Sequence, residues 1–212
     1  MACAICETRK PRRFCPGVRG DICTVCCGTE REVTVDCPLD CEFLQEARKH
    51  EKREAPDPQK IPNRDIRVTE EFLHRNEELL GFVQSNLGTA AFSTPGAVDY
   101  DVREALEALV RTYRTLQSGV LYESLPPNPL AANIYRGLQN AVAQFRQDEQ
   151  RRLGLSRTRD ADVLGILAFL QRLEMDWNNG RRRGRAFMDA LRRFYSAVSD
   201  SAPPTASSLI LP

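Results

Sequence analysis

The sequence predicts two parts of different construction: a small metal-built module with a short β-hairpin plus a helix, then an all-α bundle of about five helices. Three observations carry this. All eight cysteines lie in the first 41 residues, at Cys3, Cys6, Cys15, Cys23, Cys26, Cys27, Cys37 and Cys41. A proline-punctuated stretch, Ala55-Pro-Asp-Pro-Gln-Lys-Ile-Pro-Asn63, follows them. Beyond it, apolar residues recur at three and four positions, the period of an amphipathic helix. A chain of 212 residues holds one ordinary domain plus a small module. The organisation read from these signals is a cysteine module over 1–54, a linker over 55–63, a bundle over 64–199 and a disordered tail over 200–212.

The cysteines come first because their spacing carries chemistry. Cys3-Ala-Ile-Cys6 and Cys23-Thr-Val-Cys26 are C-x2-C pairs separated by sixteen residues. That interval belongs to zinc sites, where a short turn presents two thiolates to one tetrahedral ion. Taking Cys3, Cys6, Cys23 and Cys26 as one site leaves Cys15, Cys27, Cys37 and Cys41 as a second, so no thiol is left over. The sites interlock along the chain, and Cys26 and Cys27 are exchangeable between them. The expected cofactor is Zn2+, two ions per chain. An iron–sulfur cluster uses the same ligands, but its common C-x2-C-x2-C run is absent. Thiol redox chemistry at Cys26-Cys27 or at either C-x2-C is a further alternative. Zinc ranks above both.

Local signals around the ligands suggest a hairpin. Gly20 to Val25 and Arg31 to Asp36 read as short strands, with Cys27-Gly28-Thr29 as the turn between them. Pro38 suits the first position of a helix, and Asp40 and Glu42 suit its first turn. Cys37 and Cys41 then flank that start four residues apart. Knuckle, hairpin and helix-borne ligands over residues 15–45 resemble a treble-clef or zinc-ribbon type zinc finger, although the helix pair is C-x3-C. The resemblance implies a structural metal. The string Cys-Cys-Gly-Thr-x-Arg-Glu followed by Cys-Pro-x-Asp-Cys is similar to the N-terminus of uncharacterised bacterial proteins, a likeness that brings no activity.

Five amphipathic helices are expected after the linker. The first runs near Val68 to Leu87 with Phe72, Leu79, Leu80, Val83 and Leu87 on one side. The second opens on Asp101-Val-Arg-Glu104, a capping-box-like start, and carries Val102, Leu106, Leu109, Tyr113, Leu116 and Val120. Asn128 and Pro129 read as N-cap and first residue of the third, whose stripe is Leu130, Ile134, Leu138, Ala141 and Phe145. The fourth starts near Asp160, buries Val163, Leu164, Leu167, Leu170 and Leu173, and ends at Asn178-Asn179-Gly180. The fifth carries Phe187, Leu191, Phe194, Tyr195 and Val198.

Charge and motifs narrow the function classes. Net charge is +1, giving no global attraction to nucleic acid or anionic membrane. The longest apolar run, Val163 to Leu170, is too short to span a bilayer. No secretory signal is visible at the N-terminus, so the expected compartment is the cytoplasm, where thiols meet metals rather than form disulfides. The two histidines, His50 and His74, lie outside the cysteine cluster, which argues against an open catalytic zinc. Arg181, Arg182, Arg183 and Arg185 sit at the expected start of the fifth helix, where the dipole disfavours cations. They form a candidate anion-binding site, with pairing to Glu174 and Asp176 as the plainer account. The expectation is a non-enzymatic zinc-binding protein that engages a protein partner. The alternative is nucleic-acid binding through Arg9, Lys10, Arg12, Arg13 and Arg19 and the Arg181 cluster.

Overall fold

The computed structural model describes residues 2–52, 57, 59–119 and 122–201, with 195–201 as backbone. The expectations for Val120, for most of 53–58 and for the tail from 202 onward lie outside the described residues, as do the side chains of Tyr195 and Val198.

The N-terminal part builds a hairpin from β1 (Arg13–Cys15) and β2 (Gly20–Ile22), antiparallel, with Phe14 opposite Asp21. Two short helices follow, α1 (Thr24–Thr29) and α2 (Glu42–His50). The expected hairpin was placed one segment too late. Residues 24–29 coil because Cys23 caps them, its Sγ accepting from the Cys26 N–H at 3.4 Å. Residues 31–36 look β-like through Val33 and Val35, yet the buried positions are Glu32 and Val35, three apart rather than alternating. The N–H groups of Val33, Thr34 and Val35 all turn back to the Glu30 carbonyl. Pro38 does not open the next helix either; Cys41 is its N-cap and Glu42 its first residue.

The rest of the chain is helical: α3 (Glu70–Arg75), α4 (Glu77–Phe92), α5 (Asp99–Gln117), α6 (Pro129–Leu153), α7 (Asp160–Trp177) and α8 (Ala186–Ser201). The single first helix of the sequence reading is thus two. The break is at Asn76, whose side-chain amide donates to the Phe72 carbonyl at 2.9 Å and competes with the backbone ladder. Helix α5 starts earlier than expected, because Asp101 serves as third residue rather than as cap and accepts the Val98 N–H at 2.8 Å. Helix α6 begins as read, with Asn128 Oδ1 accepting from Leu130 N–H and Pro129 first. Helix α8 continues to Ser201, past the expected onset of the tail.

Helix α5 packs on α6 and α7, and α4 packs on α6 and α8. Val83, Leu87, Leu106, Leu138, Leu167 and Phe187 lie in the one large apolar core they enclose. Gly165 belongs to a close crossing: the Phe72 ring occupies the space that a Cβ would need. The second apolar cluster is small and separate, and five of its eight buried members are Cys3, Cys15, Cys23, Cys26 and Cys37. The sequence's linker is docked at its end: Arg172 donates to the Asn63 and Ile66 carbonyls, and Arg114 pairs with Asp65 at 2.7 Å.

Asp99 ties helix starts together inside this bundle. It is buried, and its carboxylate accepts the Phe187 and Met188 N–H groups at 2.9 and 3.0 Å, capping α8 from α5. Burial pushes its pKa up to about 7, against the pull of those two N–H groups, and the charges of Glu174 and Glu32 add to the rise. A raised carboxyl pKa means that the folded state holds a proton the unfolded state has released. Its stabilisation is complete below the unfolded value near pH 4 and disappears as pH rises through about 7. Stability against thermal unfolding should therefore fall as pH rises over that window, by at most about 1.4 kcal/mol per pH unit. Asp99→Asn should flatten the slope; an identical slope in the variant would assign it to another group.

Candidate metal centre

The first four cysteines are brought together by two tight local structures. At Cys3 and Cys6 the chain turns sharply, with Glu7 N–H donating to the Cys3 carbonyl at 2.8 Å and Glu7 in the left-handed region at φ 55°. The hairpin then carries the chain back, and Ala4 N–H donates to the Asp21 carbonyl at 2.9 Å. Cys23 and Cys26 follow as N-cap and third residue of α1, and the Cys23 N–H donates to Cys3 Sγ at 3.2 Å. The four sulfurs all lie within 4.8 Å of one another. Four bonds of about 2.3 Å around a tetrahedral ion place sulfurs roughly 3.8 Å apart, so closure needs movements of about an ångström. The cluster can hold a metal ion.

The titration of these thiols shows what a cation would supply. The Thr8 hydroxyl, with the Thr8 and Arg9 backbone N–H groups, draws Cys6 down to about 5. Burial and the neighbouring Cys23, Cys6 and Cys3 thiols push Cys26 up to about 12. Burial also works to raise Cys3, but N–H groups of Cys6, Cys23 and Ile5 leave it lowered. With protons alone, the four cannot all be thiolates at neutral pH. A divalent cation replaces those protons and makes the full charge tolerable.

The remaining cysteines also converge, though less tightly. Cys15 ends β1, Cys27 sits on α1, Cys37 precedes α2 and Cys41 caps it; all four line one small pocket with Ile22 and Leu44. Gly17 permits this approach, since a Cβ there would stand 2.5 Å from the Asp36 carbonyl oxygen. Cys27 Sγ accepts from Arg13 Nη1 and Arg31 Nη2, each at 3.8 Å. Burial pushes the Cys37 thiol up against a Glu32 N–H that lowers it, and the charges of Glu32, Cys15 and Cys41 add to the rise. Among the described residues, the first set alone gathers its sulfurs closely enough for one ion.

The arginine cluster stands in the loop before α8 rather than in its first turn. Arg181 donates to the Arg31 carbonyl at 2.9 Å and pairs with Glu51 at 3.2 Å. Arg185 pairs with Asp36 at 2.8 Å and donates to the Ala97 carbonyl. Arg182 and Arg183 are exposed, and the Arg183 N–H donates to the Glu32 carbonyl at 2.7 Å. The plainer pairing with Glu174 is not formed, because Glu174 binds Arg103 at 2.8 Å and Asn178. His50 is exposed beside Glu46, away from the sulfurs.

Sequence reasoning missed the residue at the centre of this junction. Glu32 is fully buried, at φ 54°, between the cysteine module and the bundle. Its carboxylate accepts from Arg48 at 2.6 Å, Asn179 Nδ2 at 2.8 Å and the Arg185 N–H at 3.0 Å. Arg48 also pairs with buried Asp189 at 2.8 Å. No local motif announces such a residue; only the fold brings positions 32, 48, 179 and 189 together. Family models, curated proteins and solved structures were compared with the chain, and none matches.

Proposed function

We propose that this chain is a non-enzymatic zinc-binding protein whose N-terminal module is held in shape by two structural zinc ions and serves as a protein-interaction module. The observation that carries the reading is the convergence of Cys3, Cys6, Cys23 and Cys26 sulfurs within 4.8 Å. Cys15, Cys27, Cys37 and Cys41 are the proposed ligands of the second ion. The order of turn, hairpin and helix start over residues 3–29 supports the treble-clef likeness at an earlier position than 15–45. Four thiolates close a coordination shell and leave no site for water, so the role is scaffolding rather than catalysis. A net charge of +1 favours a protein surface as partner, and a thiol-rich chain with metal belongs in the cytoplasm. No helix among the described residues is long and apolar enough to cross a membrane.

Metal content and absorption of protein purified without added metal test this directly. Two zinc per chain with no visible band is the expected result. Iron with visible absorption would make the protein an electron-transfer or sensing device instead.

One observation favours nucleic-acid binding as a second reading. Phe14 on the hairpin is 60% exposed, and Arg9, Lys10, Arg12 and Arg19 nearby in sequence are exposed too. An aromatic platform among cations suits single-stranded nucleic acid. That reading requires binding at low salt which weakens steeply as salt rises and on replacing Arg12. A DNA and RNA panel without binding at low salt eliminates it.

A further inference from the structure

A cavity of about 750 Å³ opens at the junction of α2, the C-terminal end of α7 and α8. This volume lies within the range of small-molecule sites, roughly 300–1,000 Å³. Five cationic side chains line it: Arg48, Lys49, Lys52, Arg181 and Arg193. Three lining carboxylates and Glu32, which binds Arg48 from behind, oppose them, and two of the three are already committed. Asp189 is shared by Arg48, Arg192 and Arg193, and Glu51 pairs with Arg181. The third, Asp176, also has a partner. Lys49 pairs with Glu46 at an exposed contact on its own helix, one of little energetic weight. Positive potential therefore remains in a concave site, where low-dielectric walls concentrate it. The chain's single tryptophan, Trp177, lines the same cavity.

We propose that this cavity binds a nucleoside di- or triphosphate, its phosphates held by Lys49, Lys52 and Arg193 and its base against Trp177. Cation excess selects the phosphate chain, and the indole offers a planar surface that a bare anion does not use. Of the arginines singled out in the sequence, only Arg181 belongs to the site; Arg185 is spent on Asp36 and Ala97. The inference does not use the identity of the metal; because Arg48, Lys49, Glu51 and Lys52 belong to the cysteine module, the full chain is tested as purified, with no chelator.

Trp177 supplies the readout. Titration of ATP and GTP into the full chain should quench its fluorescence saturably, with half-saturation below about 1 mM, after correction against free tryptophan. The same nucleotides should raise the thermal midpoint. Lys49→Glu should weaken binding at least about tenfold, a change of roughly 1.4 kcal/mol, while leaving the fold intact by circular dichroism. Tripolyphosphate should bind more weakly than ATP and leave the fluorescence unchanged. Three results overturn the proposal: no saturable response to either nucleotide, equal affinity in Lys49→Glu, or tripolyphosphate binding as tightly as ATP.

Discussion

Replacing Cys26 by serine should unfold the cysteine module while leaving the helical bundle standing. The module has little else to hold it: five of the eight buried residues in its apolar cluster are cysteines, leaving Ile22, Val35 and Leu44. A core of that size does not offset the chain entropy of some fifty residues, whereas a structural zinc contributes about 10–16 kcal/mol. Loss of one ligand in four removes most of that contribution. The bundle core draws its members from residues 79–191 and shares none with the module. Amide exchange should show protection lost over residues 2–52 and retained in α4 to α7, and a strong chelator should reproduce the pattern in the unmodified protein. Unchanged protection in both experiments would show that the module stands without metal.

Glu32→Ala should lower the stability of the whole chain by about 3–5 kcal/mol, the usual cost of removing one partner from a buried ion pair. The loss is large because the carboxylate has three donors: the Asn179 amide and the Arg185 N–H lose their partner, and Arg48 keeps only Asp189. For a chain of this size, that corresponds to roughly 10 °C in thermal midpoint. Glu32→Gln should cost less, since it retains an acceptor oxygen and loses only the charge. A double-mutant cycle with Asn179→Ala isolates the side-chain contact that crosses from module to bundle. Additive effects of the two changes would show that the 2.8 Å contact between Glu32 and Asn179 does not couple module to bundle.

This junction explains why the arginines ahead of α8 looked out of place in the sequence. Cations are unfavourable at a helix start unless something answers them, and the structure supplies answers from the other half of the chain: Glu51 to Arg181, and Asp36 to Arg185. The negative charge that α8 prefers at its start comes from Asp99 on α5. Sequence-local rules could flag the anomaly and could not name the partner.

Much of the helical part was legible because its signals are local. Apolar spacing placed the buried faces of α4 to α7, and Asn128-Pro129 placed the start of α6, since a cap and a fixed φ act within three residues. The same locality failed in the cysteine module. There a valine alternation suggested a strand where the chain turns around Glu30, and a Cys27-Gly28-Thr29 turn was expected where these residues end a helix capped by Cys23. Short segments of a metal-scale core take their conformation from their ligands rather than from propensity.

By itself, then, the sequence determined the chemistry and the periodicity: eight thiols at spacings that suit a tetrahedral ion, and amphipathic helices that must bury one face. Spacing already grouped Cys3, Cys6 and Cys23; tertiary structure decided that Cys26 rather than Cys27 joins them, and that Glu32, Arg48 and Asp189 lock the module to the bundle. The physical reason is range. Ligand type, caps and helical period act over a few residues, whereas a buried charge is tolerable only where the fold assembles its partners from distant parts of the chain.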